Sequence, residues 1–215
     1  MTRILAVADE VDQSLYGPRL KELRPDLILG CGDLPFEYLE YLRAAAEVPL
    51  LYVHGNHDPS LRPHRVSAYL PAEHSAPSPP RAVGCVNLED RWKDEAGVRI
   101  AGLGGSIRYN DGYNQYTQAE MRGRVRRLTR RTRFRRWRDG KPVDIVIAHS
   151  PPLDCGDGDD RPHRGFSAFH SLIGRLEPQL MLHGHIHPHG RPRPDRIIGS
   201  TRIVNVVPYR LLEIE

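Results

Sequence analysis

The stretch Leu50-Leu51-Tyr52-Val53-His54-Gly55-Asn56-His57-Asp58 joins a short apolar run directly to a group of polar side chains. An apolar run of this length predicts a buried β-strand, because a strand covered on both faces shows no polar alternation. The glycine that follows permits a tight turn out of the strand. The stretch therefore predicts a strand whose carboxyl end presents Asn56, His57 and Asp58 at one edge of a sheet.

The same order, an apolar run and then Asp or His, occurs at four other places. These are Ile4–Ala8 before Asp9, Leu27–Leu29 before Gly30-Cys31-Gly32-Asp33, Val143–Ala148 before His149, and Leu180–Leu182 before His183-Gly184-His185-Ile186-His187. Two more apolar runs, Val98–Ala101 and Ile203–Val207, are also predicted strands. Ligands of α/β sheets bind beyond the carboxyl ends of the strands, so these polar groups are expected to converge on one site.

Helical stretches alternate with the strands. They are Tyr16–Leu23, Tyr38–Ala46, Gln118–Arg138 and Phe166–Leu176. This alternation predicts α/β architecture with a parallel or mixed sheet. The 215 residues fit one domain that spans residues 1–215. The proline-rich segment Pro59–Pro80 is predicted to be a long surface loop, and Asp154–Arg164 is predicted to be irregular.

The polar residues at the strand ends have the chemistry of metal ligands. Carboxylates and imidazoles suit divalent ions such as Mn, Fe and Zn. His185 and His187 point the same way if their segment is extended, because side chains alternate along a strand. Each piece alone has an ordinary explanation: a Gly-Asp pair is usually a turn, and His149 could be a hydrogen-bonded histidine at a strand end. The combination of all the strand ends favours a metal site.

Composition argues against several other classes of protein. The three cysteines, Cys31, Cys85 and Cys155, form no CxxC pair, which disfavours a disulfide framework or a thiolate zinc site and favours a reducing compartment. The apolar start of the chain is too short for a signal sequence, and no apolar run approaches the roughly 18 residues of a membrane span. A cytoplasmic location without a membrane partner is therefore expected.

In this order the motifs resemble those of the calcineurin-like metallophosphoesterase family. That family's pattern is Asp-x-His, Gly-Asp, Gly-Asn-His-Asp/Glu, one His and then Gly-His-x-His. The matching motifs are Gly32-Asp33, Gly55-Asn56-His57-Asp58, His149 and Gly184-His185-Ile186-His187. The resemblance runs from Asp9 to His187 and implies a four-layer α/β/β/α sandwich of two mixed sheets flanked by helices.

The resemblance also implies a phosphoesterase with two divalent metal ions. Asp33 would bridge the ions, Asp9 and His187 would hold the first, and Asn56, His149 and His185 would hold the second. His57 would act as general acid or stabiliser beside the phosphate, with Asp58 orienting its ring. Mn²⁺ is the expected ion, with Fe, Zn, Ni and Mg as alternatives. The expected substrate is a phosphomonoester or phosphodiester, either a phosphorylated small molecule or a nucleotide.

The first motif departs from the family pattern, because Val11 stands where the family usually has histidine. Valine cannot bind a metal ion. Glu10 would point to the wrong face if the strand continued, although a turn could bring Glu10 or Asp12 inward. The first metal is therefore expected to be weaker or more hydrated than the second.

The chain also contains ten arginines within residues 122–138, and two interpretations of them remain open. They are Arg122, Arg124, Arg126, Arg127, Arg130, Arg131, Arg133, Arg135, Arg136 and Arg138. A helix so rich in arginine would attract nucleic-acid phosphates, which favours a nuclease acting on DNA or RNA. Alternatively, this is a solvated helix that packs Met121, Val125, Leu128, Phe134 and Trp137 against the sheet.

Three further expectations concern residues around the site. Arg108, Tyr109 and Asn110 follow a Gly-Gly-Ser turn and are candidate substrate contacts. His54 and His183 either hydrogen-bond the ligands or fill space. Because Val11 could mark the loss of a ligand, a non-catalytic metal-binding scaffold of the same fold is an alternative to an enzyme.

Overall fold

The computed structural model describes residues 1–59, 80–188, 190 and 193–215. The strands are β1 (Thr2–Val7), β2 (Leu27–Gly30), β3 (Leu50–Tyr52), β4 (Val86–Asn87), β5 (Trp92–Glu95), β6 (Val98–Leu103), β7 (Ser106–Ile107), β8 (Gln115–Tyr116), β9 (Ile145–Ala148), β10 (Leu180–His183), β11 (Arg196–Ile198), β12 (Thr201–Asn205) and β13 (Tyr209–Ile214). The helices are α1 (Pro18–Leu23), α2 (Phe36–Ala46), α3 (Gln118–Asp139) and α4 (Ala168–Leu176), with a 3-10 helix at Gln13–Tyr16. The loop predicted at Pro59–Pro80 lies almost wholly outside the described residues.

Two mixed sheets form the centre of the fold. The first has the strand order β13-β1-β2-β3-β4, in which β1 to β4 are parallel and β13 is antiparallel to β1. The second has the order β11-β12-β10-β9-β6-β5, in which the four inner strands are parallel and both edge strands are antiparallel. The short strands β7 and β8 pair separately.

Apolar side chains hold four layers together. Alternate residues of β1 face opposite sides of the first sheet, so that Ile4 packs between the two sheets whereas Leu5 packs under α1 and α2. The outer face of the second sheet is covered by α3 and α4, for example through Met121 and Phe169. The predicted four-layer α/β/β/α sandwich is therefore confirmed.

Most predicted elements are present with shifted ends. The helix expected at Tyr16–Leu23 is divided, because Gly17 is extended and Pro18 starts α1. The expectation that Phe134 and Trp137 pack against the sheet is wrong, since they are 61% and 80% exposed. None of the helices in the described part of the chain is long and apolar enough to cross a membrane.

A buried arginine ties the far end of α3 to the second sheet. Arg99, near the start of β6, is 1% exposed and donates five hydrogen bonds, to both carboxylate oxygens of Asp94, both of Asp139, and the carbonyl of Lys141. Its guanidinium also lies 4.9 Å from the ring centroid of Trp92. The C-terminal end of α3 therefore lies at the starting end of β6.

Candidate metal centre

The candidate site lies at the carboxyl ends of five strands that belong to both sheets. Asp9, Asp33 and Asn56 follow β1, β2 and β3, whereas His149 and His185 follow β9 and β10. Donor atoms of Asp9, Asp33, His149 and His185 lie within 4.8 Å of one another. The predicted convergence of these strand ends is thus confirmed for the four residues.

Left-handed backbone conformations turn three of these side chains into the site. The φ angles of Asp9, Asp33 and His185 are 62°, 56° and 66°. Residues other than glycine adopt this region rarely, although Asp and His tolerate it better than most. Each such residue costs on the order of 1 kcal/mol, and such conformations cluster at functional sites. The chain leaves each strand sharply at the position where a ligand is needed.

Glycines let the backbone approach the two carboxylates closely. A Cβ on Gly55 would lie 2.0 Å from Asp33 Oδ1, and a Cβ on Gly184 would lie 2.1 Å from Asp9 Oδ2. The close approach lets backbone amides bond the carboxylates. The His57 N–H donates to Asp33 Oδ1 and the His185 N–H donates to Asp9 Oδ2, both at 2.8 Å. These bonds fix the orientation of each carboxylate.

The donors predicted for the second metal are supported by hydrogen bonds from behind. His149 Nδ1 donates to the carbonyl of Cys31 at 2.9 Å, so its Nε2 faces Asn56 Oδ1 at 3.1 Å and Asp33 Oδ2 at 3.2 Å. His185 Nε2 donates to the carbonyl of Pro162 at 2.8 Å, which leaves Nδ1 as its ligand atom. A backbone carbonyl behind a histidine is the usual support of a metal ligand.

The spacing and the charge of this donor set fit a divalent ion. Bonds of roughly 2.1 Å at near-right angles place neighbouring donors about 3 Å apart, which matches the distances from His149. The carboxylates of Asp9 and Asp33 are 4% and 8% exposed, so they need a nearby positive charge. These residues can therefore hold a metal cation.

The pKa values in the cluster reflect the burial of its carboxylates and the positive charge of His149. Burial raises the pKa of Asp9. Burial also acts to raise the pKa of Asp33, but the charge and the hydrogen bond of His149 outweigh the effect of burial and hold this pKa at about 2. Burial acts to lower the pKa of His149, yet Asp33 raises it to about 9. Burial lowers the pKa of His185 to about 3, so this ring is neutral, as a metal ligand must be.

The residues predicted for the first metal make a contact that the motifs did not show. His187 Nε2 lies 3.9 Å from Asp9 Oδ1, and its Nδ1 lies 2.7 Å from Glu10 Oε1. A turn at Asp9, in which the Glu10 N–H bonds the Ala8 carbonyl, brings the Glu10 side chain inward. Val11 packs instead against the apolar layer under α1 and α2. Glu10 thus supports a ligand rather than replacing the missing histidine.

Asp12 does not enter the site. Its Oδ1 accepts from the Ser14 amide at 2.9 Å and so caps the 3-10 helix. Of the two acids that a turn could have brought inward, Glu10 is therefore the one that reaches a predicted ligand.

His57 and Asp58 lie on the same turn but make different contacts. The His57 side chain is exposed, while its backbone is held by Asp33. The Asp58 carboxylate accepts from the amides of Asp33 at 3.0 Å and Gly55 at 2.8 Å. Burial raises the pKa of Asp58 to about 7. Asp58 therefore holds the two ligand loops together, and its predicted role in orienting the His57 ring stays a prediction.

The three predicted substrate contacts are not equivalent. The Tyr109 hydroxyl accepts from Asn56 Nδ2 at 3.3 Å and so adjoins the site. Arg108 donates to Glu120 at 3.1 Å, at the start of α3. Asn110 accepts from Gln115 Nε2 at 2.6 Å within its own loop. Their roles in binding substrate stay predictions, and Tyr109 is the one that touches a ligand.

Among the described residues, three other polar side chains near the site make no hydrogen bond to the side chain of a predicted ligand. His54 is fully buried beside the rings of Phe36 and Tyr52, and neither of its ring nitrogens has a hydrogen-bond partner among the described residues. His183 bonds the Gly184 carbonyl at 2.9 Å. Asn205, which the motifs did not indicate, donates to the Ile186 carbonyl at 2.7 Å and holds the loop between the two histidines. Its position at the end of β12, beside β10, was the available signal.

Comparison with known proteins agrees with the geometry. A protein of Haemophilus influenzae, described as uncharacterized, is 28% identical over 190 residues, which cover 79% of this chain and 76% of that protein. The crystal structure of TT1561 of Thermus thermophilus superposes with a TM-score of 0.61 at 18% identity, covering 95% of this chain and 88% of that chain. Another solved structure reaches the same TM-score of 0.61 at 15% identity, covering 95% of this chain and 90% of that chain. At these identities the structures show the fold alone.

The sequence profile of calcineurin-like phosphoesterases matches residues 3–189, which include every predicted metal ligand. Together with the Asp and His cluster, this match identifies a metal-dependent phosphoesterase. The chain belongs to the calcineurin-like phosphoesterase family.

Proposed function

We propose that the protein hydrolyses a phosphomonoester or phosphodiester with two divalent ions, most favourably Mn²⁺, with water as the nucleophile and His57 as acid or stabiliser. The observation that carries the proposal is the convergence of Asp9, Asp33, His149 and His185 within 4.8 Å. Each of the four side chains has a hydrogen bond to the backbone that fixes its orientation. Such support is expected of an active site rather than of one that has lost its function.

The metal ions would lower the pKa of water and neutralise phosphate oxygens. Asp33 would serve both ions, since one of its oxygens faces the His149 ring and its carboxylate lies in the same cluster as Asp9. The exposed His57 ring can reach a leaving oxygen, and a positioned acid contributes about 10²–10⁴-fold to the rate. The chain thus supplies the donors, a fixed carboxylate and a proton donor.

A cleft near the candidate centre supports an anionic substrate. Its volume is about 630 Å³, and its lining includes Arg108, Arg161 and Arg164 together with one acidic residue, Asp159. Arg161 and Arg164 flank Pro162, whose carbonyl supports the His185 ring. A second anionic group on the substrate, as in a nucleotide, could therefore be held beside the phosphate that reacts.

The unpaired state of Cys31, Cys85 and Cys155 supports the proposed cytoplasmic location.

Hydrolysis of an aryl phosphodiester and of the matching monoester with added Mn²⁺ tests the proposal. We expect turnover by the wild type and loss of turnover in Asn56→Ala, while Asn87→Ala, which changes an asparagine in β4, stays active. His57→Ala should lower kcat by about 10²-fold or more, whereas the exposed His170→Ala should not. Absence of turnover with Mn, Fe, Zn, Ni and Mg, despite measurable metal binding, would establish the scaffold alternative instead.

A further inference from the structure

Helix α3 carries two stripes of residues on opposite sides. The inner stripe of Met121, Val125, Leu128 and Thr132 is buried. The outer stripe consists of Arg126, Arg130, Arg133 and Trp137, and all four residues are exposed. Each of them lies five positions after one residue of the inner stripe. Five residues rotate the direction of a side chain by about 140° on a helix of 3.6 residues per turn. The outer stripe therefore points away from the sheet.

The outer stripe and the adjacent Phe134 combine unpaired positive charge with two exposed aromatic rings. Among the described residues, Arg126, Arg130 and Arg133 have no acidic partner, whereas Arg124 pairs with Glu89 and Asp90 in the interior. Trp137 is 80% exposed, and the Phe134 ring lies 6.1 Å from it. The two neighbouring rings form an exposed apolar patch, and contiguous exposed apolar patches mark interaction sites.

A groove beside Trp137 extends the charged surface onto the neighbouring helix. Its volume is about 550 Å³, and its lining includes Arg133, Arg136 and Trp137 from α3 and Arg175 from the last turn of α4. No acidic side chain occurs among the described residues that line it. The groove thus offers a flat indole and several guanidinium groups without a competing negative charge.

We propose that this surface binds single-stranded nucleic acid. Guanidinium groups recognise phosphates, and the exposed indole can stack on a base, which a single strand presents and a duplex does not. Apolar partners would not use the arginines, and isolated phosphates would not use the rings. The combination favours a ligand with alternating phosphates and bases.

This surface is separate from the metal centre. The contact of Asp139 with Arg99 places the C-terminal end of α3 at the starting end of β6, whereas the metal ligands follow the carboxyl ends of the strands. The 22 residues of α3 span about 33 Å. Binding here does not depend on the proposed function, although it would point to nucleic acid as the substrate class.

Fluorescence anisotropy of a labelled oligothymidylate, measured with chelator present, tests the proposal. Trp137→Ala should weaken binding roughly 5- to 150-fold, because stacking on one ring is lost, and Trp137→Phe should recover most of the affinity. Arg130→Gln with Arg133→Gln should reduce the slope of log K against log salt by about 1.4, at about 0.7 per phosphate contact of a single strand. Arg19→Gln with Arg43→Gln, on α1 and α2, is the control with the same loss of charge and should bind like the wild type.

Three results would overturn the proposal. One is the absence of saturable binding at about 50 mM salt. Another is equal weakening by the control pair, which would mean that only net charge matters. In the third, Trp137→Ala leaves oligonucleotide binding unchanged but abolishes another interaction. Loss of a dimer in sedimentation would assign the stripe to a second copy of the chain, and loss of binding to anionic vesicles would assign it to a membrane. Because Trp137 is exposed, circular dichroism should confirm that the variants are folded.

Discussion

Replacing Glu10 with alanine tests how the proposed first metal position is held. The Glu10 carboxylate accepts a hydrogen bond from His187 Nδ1 at 2.7 Å, and His187 Nε2 lies 3.9 Å from Asp9 Oδ1. Glu10 therefore favours the tautomer whose Nε2 carries no proton and faces Asp9. Without Glu10 the ring loses this preference and its fixed orientation.

The expected size of the effect differs between folding and metal binding. The side chains of His187 and Glu10 are 42% and 48% exposed, so their pair stabilises the metal-free fold by at most about 1 kcal/mol. Loss of the partner behind a ligating histidine typically weakens metal affinity by about 10- to 100-fold, or about 1.4–2.7 kcal/mol of binding free energy. The larger change should therefore be in metal affinity.

Calorimetric titration of the metal-free protein with Mn²⁺ measures this difference. We expect a tighter and a weaker binding event in the wild type, and a weaker event shifted 10- to 100-fold, roughly, in Glu10→Ala. Glu10→Gln should lie close to the wild type, because an amide oxygen still accepts from Nδ1. Glu37→Ala, an exposed acid on α2, is the control. A Glu10→Ala isotherm that matches the wild type, or a shift of the tighter event instead, would show that Glu10 does not support the weaker metal position.

Three other predictions follow from the packing. Gly184→Ala should abolish metal binding, because its Cβ would lie 2.1 Å from Asp9 Oδ2; Gly174→Ala, with no atom within 4 Å of the new Cβ, should bind metal normally in the same titration. Arg99→Met should lower the free energy of unfolding, measured in urea, by about 3 kcal/mol. This is near the lower end of the stability loss on breaking a buried ion pair, because the carboxylates of Asp94 and Asp139 can be rehydrated. A loss below about 1 kcal/mol would contradict this expectation. Arg99 holds the pKa of Asp139 well below its usual value. This pair should therefore stabilise the wild type fully above the unfolded-state pKa of about 4, and progressively less as the pH falls. In thermal melts, the melting temperature of Asp139→Asn should consequently fall less on acidification than that of the wild type.

The site residues could be predicted from the sequence because their signals are local. Asp33, Asn56 and His149 each lie within a few residues of an apolar run, and parallel strands carry such residues to one edge. The apolar runs themselves could not show two sheets rather than one. Ile4 and Leu5 are both apolar and both buried, yet they face different layers.

The positions of Glu10 and Trp137 differ from the sequence-based expectation for different reasons. The direction of Glu10 depends on the φ angle of 62° at Asp9, which no residue type dictates. Trp137 has the hydrophobicity of a core residue, but its position on α3 places it five residues after buried Thr132, on the outer side of the helix. Backbone direction at Asp9 decided the position of Glu10, whereas for Trp137 helical spacing outweighed hydrophobicity.

The origin of the ligands in both sheets has a mechanical consequence. An ion held between Asp33 and His149 would cross-link the two halves of the sandwich at this rim, in addition to the hydrogen bond from His149 to the Cys31 carbonyl and the apolar layer that includes Ala8 and Val206. An ion that binds only the folded state at 100 times its Kd raises the free energy of unfolding by about 2.7 kcal/mol. Removal of the ion should therefore loosen that rim of the sandwich before the rest, and limited proteolysis of the chelated protein should cut first in the loops that follow these strands.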